Sequence, residues 1–225
     1  MTKVGVVLSG CGFLDGSEIH EATLTLFFLD RAGAEIIKMA PDIDQMDVID
    51  HLSSQAVEGE TRKVLTESAR IARGEIKRME EIKADDLDAL IFPGGYGAAK
   101  NLSDFAVKGV DCTVNPEVER LVKEMHQAKK PLGFLCIAPV IAAKVLATFS
   151  PQLTVGNAKE ELTKSAAEAI EKMGAKHIAC EVAEIAVDEE NKIISAPAYM
   201  IGPTISKVGL GIERLVNKVL ELASG

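Results

Sequence analysis

Apolar runs and amphipathic segments alternate along the first part of the chain. Residues 4–8 form a continuous β-branched, apolar run, which predicts a strand buried on both faces. Residues 18–31 repeat apolar positions with helical spacing, where Ser17 can cap the helix and Gly33 can end it. Residues 34–39 predict a second strand. A strand, a helix and a strand in this order predict a parallel α/β sheet with a right-handed crossover.

The same patterns continue to the end of the chain. They predict strands at residues 76–79 (a short edge strand), 87–92, 132–135 and 153–155, and helices at 60–73, 117–127, 138–146, 160–173 and 204–222. Residues 41–59 are polar and irregular, whereas residues 182–187 and 192–195 alternate around a polar turn and predict a hairpin. No repeat or linker interrupts the pattern, so we expect one domain over residues 1–225.

The amino-acid composition disfavours some classes of binding partner. Of the 225 residues, 47% are apolar and 26% are charged, with a net charge of −9, which is enough apolar content for a large core. The acidic balance disfavours nucleic acid and anionic membranes as partners. No apolar segment approaches the ~18–20 residues that span a bilayer. The first residues predict a strand and not a signal peptide.

The cysteines predict reduced thiols. The chain has four, widely scattered and without a C-x-x-C pair or the spacing of a zinc site: Cys11, Cys112, Cys136 and Cys180. A chain of this length does not need disulfides for stability. We therefore expect a cytoplasmic protein without a metal site.

Cys136 occupies the most distinctive position in the sequence. The apolar run at residues 132–135 stops at Cys136, and a helix with Pro139 in its first turn follows. A reactive side chain on such a tight strand-to-helix turn has the geometry of a nucleophile elbow. The helix N-terminus favours a thiolate, so we expect Cys136 to be the most reactive of the four cysteines. The alternative is a buried, inert cysteine near a strand end.

Two further strand ends are expected to lie beside Cys136. These are the glycine-rich loop after the first strand and the Gly94-Gly95 pair after the strand at residues 87–92. Ligands in open α/β sheets bind at the carboxyl ends of strands. A simple turn explains paired glycines, but beside a nucleophile the N–H groups of Gly95 and Ile137 would form an oxyanion hole. Gly94 is a candidate for substrate binding.

The first loop does not indicate a nucleotide cofactor. Gly10-Cys11-Gly12 does not fit the dinucleotide fingerprint, and the chain contains no phosphate-binding G-x-x-x-x-G-K motif. We therefore expect no cofactor.

The helix that follows this loop carries Glu18, His20 and Glu21 near its start. Acidic residues are common at helix N-termini, and this explains Glu18 without a functional role. Glu21 lies one turn deeper, where the apolar face and the site meet. The sequence leaves two alternatives for His20, which lies either on the surface or in a position to bind substrate.

Several motifs, spread over nearly the whole chain, carry a resemblance to known families. The segments Pro93-Gly94-Gly95, Gly97-Ala98-Ala99-Lys100-Asn101-Leu102 and Phe134-Leu135-Cys136-Ile137-Ala138-Pro139 resemble the PfpI-like superfamily with its class I glutamine amidotransferase-like fold. The segments Leu8-Ser9-Gly10-Cys11-Gly12, Asp15-Gly16-Ser17-Glu18-Ile19-His20-Glu21 and Pro197-Ala198-Tyr199-Met200 resemble the ElbB-like family of isoprenoid-biosynthesis, or sigma cross-reacting, proteins.

This resemblance implies a fold, a site and an activity. The fold is a flavodoxin-like three-layer sandwich, with a mostly parallel central sheet and helices on both faces. The implied nucleophile is Cys136, and the family spacing to Arg31-Ala32-Gly33 assigns the partner glutamate to Glu21. The resemblance also implies a glyoxalase and a homodimer. In many members a His follows the nucleophile, whereas this chain has Ile137, so we reject glutamine amidotransfer.

The leading hypothesis is a cofactor-free glyoxalase that converts glyoxal or methylglyoxal to the 2-hydroxy acid. Its partner is then a small dicarbonyl, with Cys136 forming a hemithioacetal and Glu21 moving the proton. One alternative is a non-enzymatic redox-sensing or stress-response protein with an oxidisable Cys136. Another is an accessory protein that affects isoprenoid biosynthesis. A protease or amidase is less well supported, because no His stands beside the nucleophile.

Overall fold

A seven-stranded sheet forms the centre of the computed structural model, which describes residues 1–224. Its strands are β1 (Lys3–Val7), β2 (Glu35–Ala40), β5 (Lys77–Arg78), β6 (Ala89–Phe92), β7 (Leu132–Leu135), β10 (Ala186–Asp188) and β11 (Ile193–Ala196). Two short pairs lie outside it, β3 (Ile49–Asp50) with β4 (Gln55–Ala56) and β8 (Gln152–Leu153) with β9 (Lys176–His177).

Helices cover both faces of this sheet. They are α1 (Ile19–Arg31), α2 (Val64–Ile71), α3 (Tyr96–Lys100), α4 (Phe105–Lys108), α5 (Pro116–Gln127), α6 (Pro139–Val145), α7 (Glu161–Lys172) and α8 (Ile205–Ala223). Helix α8 packs on α1 and on the central strands, whereas α5 packs on α6 and α6 on α7. The result is the flavodoxin-like three-layer α/β fold that the sequence predicts.

The sheet order is β10-β11-β7-β6-β1-β2-β5. Only β10 is antiparallel to its neighbour, and β11, β7, β6, β1, β2 and β5 pair in parallel. Every residue of β6 and β7 is buried, as expected for strands with helices on both sides. The carboxyl ends of β7, β6 and β1 therefore lie next to one another, and this positions the site.

The structure corrects three details of the sequence interpretation. Ser17 does not cap α1, because its hydroxyl accepts the N–H of Ser9, and the side chain of Glu18 caps the helix instead. Helix α2 begins later than predicted, because Lys63 is held in an extended bridge to Asp44. The pattern also missed the short helices α3 and α4, the pair of β3 and β4, and β9, whereas the strand predicted at 153–155 overlaps β8.

Candidate active site

Three loops meet at one edge of the sheet, as the sequence predicts. The loop after β1, residues 8–18, is called the first loop below. It lies against the loop after β6, because the N–H of Glu18 donates to the carbonyl of Gly94 at 2.9 Å. The turn after β7 carries Cys136, and β7 is the neighbour of β6. The candidate active site lies where these three loops join.

Cys136 sits in the turn that the sequence predicts, with a φ of 59°. A left-handed conformation is uncommon for a residue with a side chain and costs about 1–3 kcal/mol. The Cys136 N–H donates to the carbonyl of Ala196 on the neighbouring strand β11 at 3.0 Å, which helps to hold the turn. The side chain is 8% exposed, so the sulfur is buried except for one side.

Two backbone N–H groups near this sulfur lower the pKa of the thiol. They belong to Gly95 and Ile137, the residues from which the sequence predicts an oxyanion hole. Gly95 has a φ of 94°, and a Cβ there would overlap the backbone of Glu18 and Gly16. Only glycine therefore allows this donor to reach its position without displacing the first loop.

Glu21 lies directly behind Cys136 and is fully buried. Its Oε2 accepts the N–H of Gly94 at 2.8 Å, and its Oε1 accepts the N–H of Tyr199 at 3.1 Å. Its carboxyl lies beside the Cys136 side chain, because a Cβ on Gly94 would be 2.3 Å from the Cys136 Cβ and 2.6 Å from Glu21 Oε2. Burial, and then the charge of Glu18, raise the pKa of Glu21 to about 8, against the lowering effect of the N–H donors. Near neutral pH this carboxyl is therefore mainly protonated.

The expectation of a resting thiolate at Cys136 is wrong for this environment. Burial first, and the charge of Glu21 second, raise the pKa of Cys136 well above its ordinary value. The N–H groups of Gly95 and Ile137 oppose this shift but do not reverse it. The helix that follows is also short, so its N-terminus cannot offset the desolvation of the sulfur. Cys136 is a thiol at rest.

Gly94 allows the side chains of Cys136 and Glu21 to meet and does not line the cavity. A Cβ at Gly94 would overlap the Cβ of Cys136 and lie 2.6 Å from Glu21 Oε2. Its N–H is already used by Glu21. The interpretation of Gly94 as a substrate-binding residue is therefore corrected, and its role is to let Cys136 and Glu21 meet.

His20 lies outside the cavity and contacts it through Tyr199. Its Nδ1 is 2.8 Å from the Tyr199 hydroxyl, and its side chain is about half exposed. Tyr199 lines the cavity beside Cys136, whereas His20 does not. A direct substrate contact by His20 is therefore not supported by its position.

A cavity of about 630 Å³ opens on the free side of Cys136. Its apolar wall is built from α3, α4, α7 and the segments beside them: Phe13, Tyr96, Ala99, Phe105, Val110, Leu162, Ala166 and Ala169. The sulfur and the turn at Ile137 form its inner end. Any molecule that reaches Cys136 passes along this wall.

The sequence reasoning missed Tyr199 and the cavity wall. The backbone of Tyr199 holds Glu21 and its hydroxyl meets His20, although it lies 178 residues beyond Glu21 in the chain. Its only sequence signal is that it lies within the motif Pro197-Ala198-Tyr199-Met200. The wall residues carry no motif, because they become a surface only when α3, α4 and α7 converge.

Other candidate centres are limited in the described part of the chain. All four cysteines are free. Within residues 1–224, no group of three or more His, Cys, Asp or Glu side chains is arranged to hold a metal ion. No helix among those residues has the length and apolarity needed to cross a membrane.

Comparisons with known proteins find relatives over most of the chain. A relative of 55% identity over 224 residues is the human "Glutamine amidotransferase-like class 1 domain-containing protein 3, mitochondrial", with 98% of this chain and 83% of that protein aligned. A Danio rerio "ES1 protein, mitochondrial" is 39% identical over 210 residues, which is 88% of this chain and 77% of that protein. Since both names place those relatives in mitochondria, a cytoplasmic location for this chain stays a prediction.

Solved structures share the fold. An isoprenoid biosynthesis protein with an amidotransferase-like domain from Ehrlichia chaffeensis is 36% identical, with a TM-score of 0.87 and 97% and 99% of the two chains covered. Drosophila melanogaster DJ-1beta, at 16% identity and a TM-score of 0.56, covers 100% of this chain and 96% of its own and supports the fold alone. The DJ-1/PfpI family model matches residues 13–200. The resemblance seen in the motifs is therefore confirmed, and the chain belongs to the DJ-1/PfpI family.

Proposed function

We propose that this protein is a cofactor-free glyoxalase that converts glyoxal or methylglyoxal to the 2-hydroxy acid. The family includes glyoxalases and redox-sensing stress proteins, so membership alone does not select the activity. The observation that carries the proposal is that the buried Glu21 carboxyl lies beside the Cys136 side chain, with both flanking the α-carbon of Gly94. A pKa of about 8 allows Glu21 to release and accept a proton near neutral pH.

The first step is addition of the Cys136 thiol to the aldehyde. The sulfur bonds to the aldehyde carbon, and the thiol proton moves by way of Glu21 to the former carbonyl oxygen, which gives a hemithioacetal. Because Cys136 is a thiol at rest, its proton leaves as the bond forms. The N–H groups of Gly95 and Ile137 support this step, since they already point at the sulfur and lie beside the developing oxyanion.

The second step moves a proton between two carbons. The ionised form of Glu21 takes the hydrogen of the hemithioacetal carbon as a proton, and the electron pair forms the double bond of an enediol with the neighbouring carbon. The proton of the hemithioacetal hydroxyl passes to the neighbouring carbonyl oxygen, so that the first carbon can become a carbonyl again. Glu21 then returns the proton to the neighbouring carbon. The first carbon is oxidised to a thioester and the second is reduced to an alcohol, so no external oxidant or reductant is needed.

The third step is hydrolysis. Water attacks the thioester carbonyl, the carbon–sulfur bond breaks, and Cys136 regains its proton while the 2-hydroxy acid leaves. The rim of the cavity is open to solvent, and Tyr96 there is 43% exposed, so water has a path to the thioester.

Replacement of Glu21 by Gln tests the proposal. Gln keeps the size of the side chain and can still accept a hydrogen bond, but it cannot cycle a proton. We expect Glu21→Gln to lower dicarbonyl turnover by about 10²–10⁴-fold, the usual contribution of general acid–base catalysis. The products are followed by NMR with glyoxal and methylglyoxal.

Glu67→Gln is the matched control, because Glu67 is a buried carboxylate on α2 that pairs with Arg70 at 3.0 Å and lies outside the cavity. We expect it to retain turnover. Lactate formation from methylglyoxal by Glu21→Gln at the wild-type rate would contradict the mechanism.

The redox-sensing alternative has weaker geometric support. Sensor cysteines are exposed and have a low pKa, whereas Cys136 is buried and its pKa is raised. A wild-type protein that turns over no dicarbonyl, yet is oxidised at Cys136 by mild peroxide, would favour the sensor. A homodimer remains a prediction, for which the molecular mass in solution is the test.

A further inference from the structure

We propose that the preferred substrate is a 2-oxoaldehyde with an apolar body of several carbons, larger than methylglyoxal. This inference rests on the proposed glyoxalase function and specifies its substrate class. The dicarbonyl end would lie at Cys136, and the apolar body would lie along the wall formed by α3, α4 and α7.

The cavity is much larger than the small dicarbonyls. Its volume of about 630 Å³ falls among pockets of about 300–1,000 Å³, which enclose drug-sized ligands. Glyoxal has only two carbons and two oxygens, and methylglyoxal adds one methyl group. Either would occupy only the inner end beside Cys136. Most of the wall would then face water.

The chemistry of the cavity changes along its length. At the inner end, the N–H groups of Gly95 and Ile137 meet the sulfur, and these are the donors that a carbonyl oxygen needs. Ala99, Phe105 and Val110 contribute apolar lining, and the charged residues that line the cavity are Glu18, Glu168 and Lys172. A ligand that matches both parts has a polar head and an apolar body.

Helix α7 closes the cavity opposite α3. Ala166 and Ala169 face the cavity, and their small side chains leave the space that a larger residue would fill. The charged residues of α7 that border the cavity, Glu168 and Lys172, are exposed and belong to its rim. The lining is therefore mainly apolar, with few charged residues.

The exposed aromatic residues at the entrance fit this interpretation. Phe13 is 47% exposed and Tyr96 is 43% exposed, and both line the cavity. The N–H of Tyr96 donates to the carbonyl of Phe13 at 2.7 Å, so the backbones of these two residues are held together. An apolar body entering the cavity would cover surface that both rings expose to water.

A substrate series measures the effect of the apolar body. The series is glyoxal, methylglyoxal, butylglyoxal, hexylglyoxal and phenylglyoxal, with kcat/KM measured for the intact protein. Each methylene that leaves water for the cavity should raise kcat/KM by about fourfold. Values that stay flat or fall from methylglyoxal to hexylglyoxal, while methylglyoxal is turned over, would overturn the inference and leave the proposed function standing.

A matched pair of variants locates the effect in the cavity. Ala169→Phe fills the channel from α7, and Lys164→Phe adds the same ring to an exposed position of α7 outside the cavity. We expect Ala169→Phe to lower kcat/KM for hexylglyoxal much more than kcat/KM for methylglyoxal, so that the preference for hexylglyoxal is lost. Lys164→Phe should keep that preference. Equal preference in both variants would contradict the inference, and thermal melting checks that each variant is folded.

A second readout does not depend on glyoxalase turnover. Cys136 is alkylated with iodoacetamide and with N-hexyliodoacetamide under alkaline conditions, and the rates are corrected by those of free glutathione. We expect the hexyl reagent to label Cys136 at least tenfold faster than iodoacetamide in the wild type but not in Ala169→Phe. If no dicarbonyl is turned over, this comparison still decides the inference, since equal corrected rates would overturn it.

Discussion

The first loop and the turn at Cys136 share many features but have different chemistry. Both lie at the same edge of the sheet, both contain a cysteine, and both include residues with a positive φ. In the first loop, the backbone groups are used for its own structure: the N–H of Gly12 donates to Ser17, and that of Gly16 donates to Gly12. At the turn, the N–H groups of Gly95 and Ile137 instead lie near the sulfur and lower the pKa of the Cys136 thiol.

This difference shows what makes a strand end reactive. Asn101 completes the first loop, because its Nδ2 donates to the carbonyls of Ser9 and Asp15, at 2.8 Å each. Cys11 is then left at the edge of a closed hydrogen-bond network, half-buried and without converging donors. A glycine-rich loop with a cysteine is therefore not enough, since the donors must also converge on the side chain.

The largest expected effect is the pH dependence of stability that Glu21 introduces. Its pKa rises from 4.5 to about 8 on folding, so between these values the folded protein holds a proton that the unfolded chain has released. The free energy of unfolding should then fall by about 1.4 kcal/mol for each pH unit across this window. Gln has no carboxyl that can ionise, so the free energy of unfolding of Glu21→Gln should lack this slope.

Urea unfolding at several pH values within the window measures the slope. Glu67→Gln keeps Glu21 and should keep the wild-type slope. Parallel curves for Glu21→Gln and the wild type would show that Glu21 is already ionised in the fold, which would remove the basis for its role as proton shuttle.

The next effect is a difference in kcat between variants of Gly94, in the loop after β6, and of Gly12, in the first loop. Gly94→Ala places a methyl group against Cys136 and Glu21, so the two side chains must move apart. A displacement of about 1 Å at reacting groups can cost 10²-fold, and we expect a loss of that order in kcat for Gly94→Ala. Gly12→Ala instead presses on the His51 ring at 2.6 Å and should leave kcat within a few-fold.

Turnover and thermal melting of both glycine variants test this contrast. Both variants should lose some stability, because the added methyl groups meet neighbouring atoms. A folded Gly94→Ala protein with wild-type kcat would show that close contact between Cys136 and Glu21 is not required.

A smaller effect tests whether the first loop contributes to stability and not to turnover. Asn101→Ala leaves the carbonyls of Ser9 and Asp15 and the N–H of Met46 without their partner. We expect a loss of about 1–3 kcal/mol in unfolding free energy, because these groups lie in a region closed to water. At a temperature where the variant is folded, kcat should stay within a few-fold of the wild type. A large fall in kcat there would show that the first loop also tunes the site.

The predictable and unpredictable parts of this molecule divide along physical lines. The parallel sheet and the turn at Cys136 were predictable, because buried strands have continuous apolar runs and Pro139 marks the helix start. The approach of Gly94 to Cys136 was not, since it depends on the register of β6 and β7. The protonation of the site was also missed: the sequence shows an acid and a thiol, but not that both are desolvated together.

The smallest effect concerns the relative reactivity of Cys11 and Cys136. The sequence predicts that Cys136 reacts first, whereas its burial favours the opposite order for small reagents near neutral pH. Burial, then the charge of Glu67, raise the pKa of Cys11, but Cys11 is more exposed than Cys136, whose pKa is raised well above its ordinary value. We therefore expect iodoacetamide to label Cys11 a few-fold faster than Cys136, as measured by mass mapping.

Glu21→Gln should speed labelling of Cys136 above about pH 8, because it removes the negative charge that raises the pKa of Cys136. Labelling of Cys11 should be unchanged in that variant. Faster labelling of Cys136 than of Cys11 in the wild type would mean that the donors from Gly95 and Ile137 outweigh burial, and that Cys136 is a thiolate at rest.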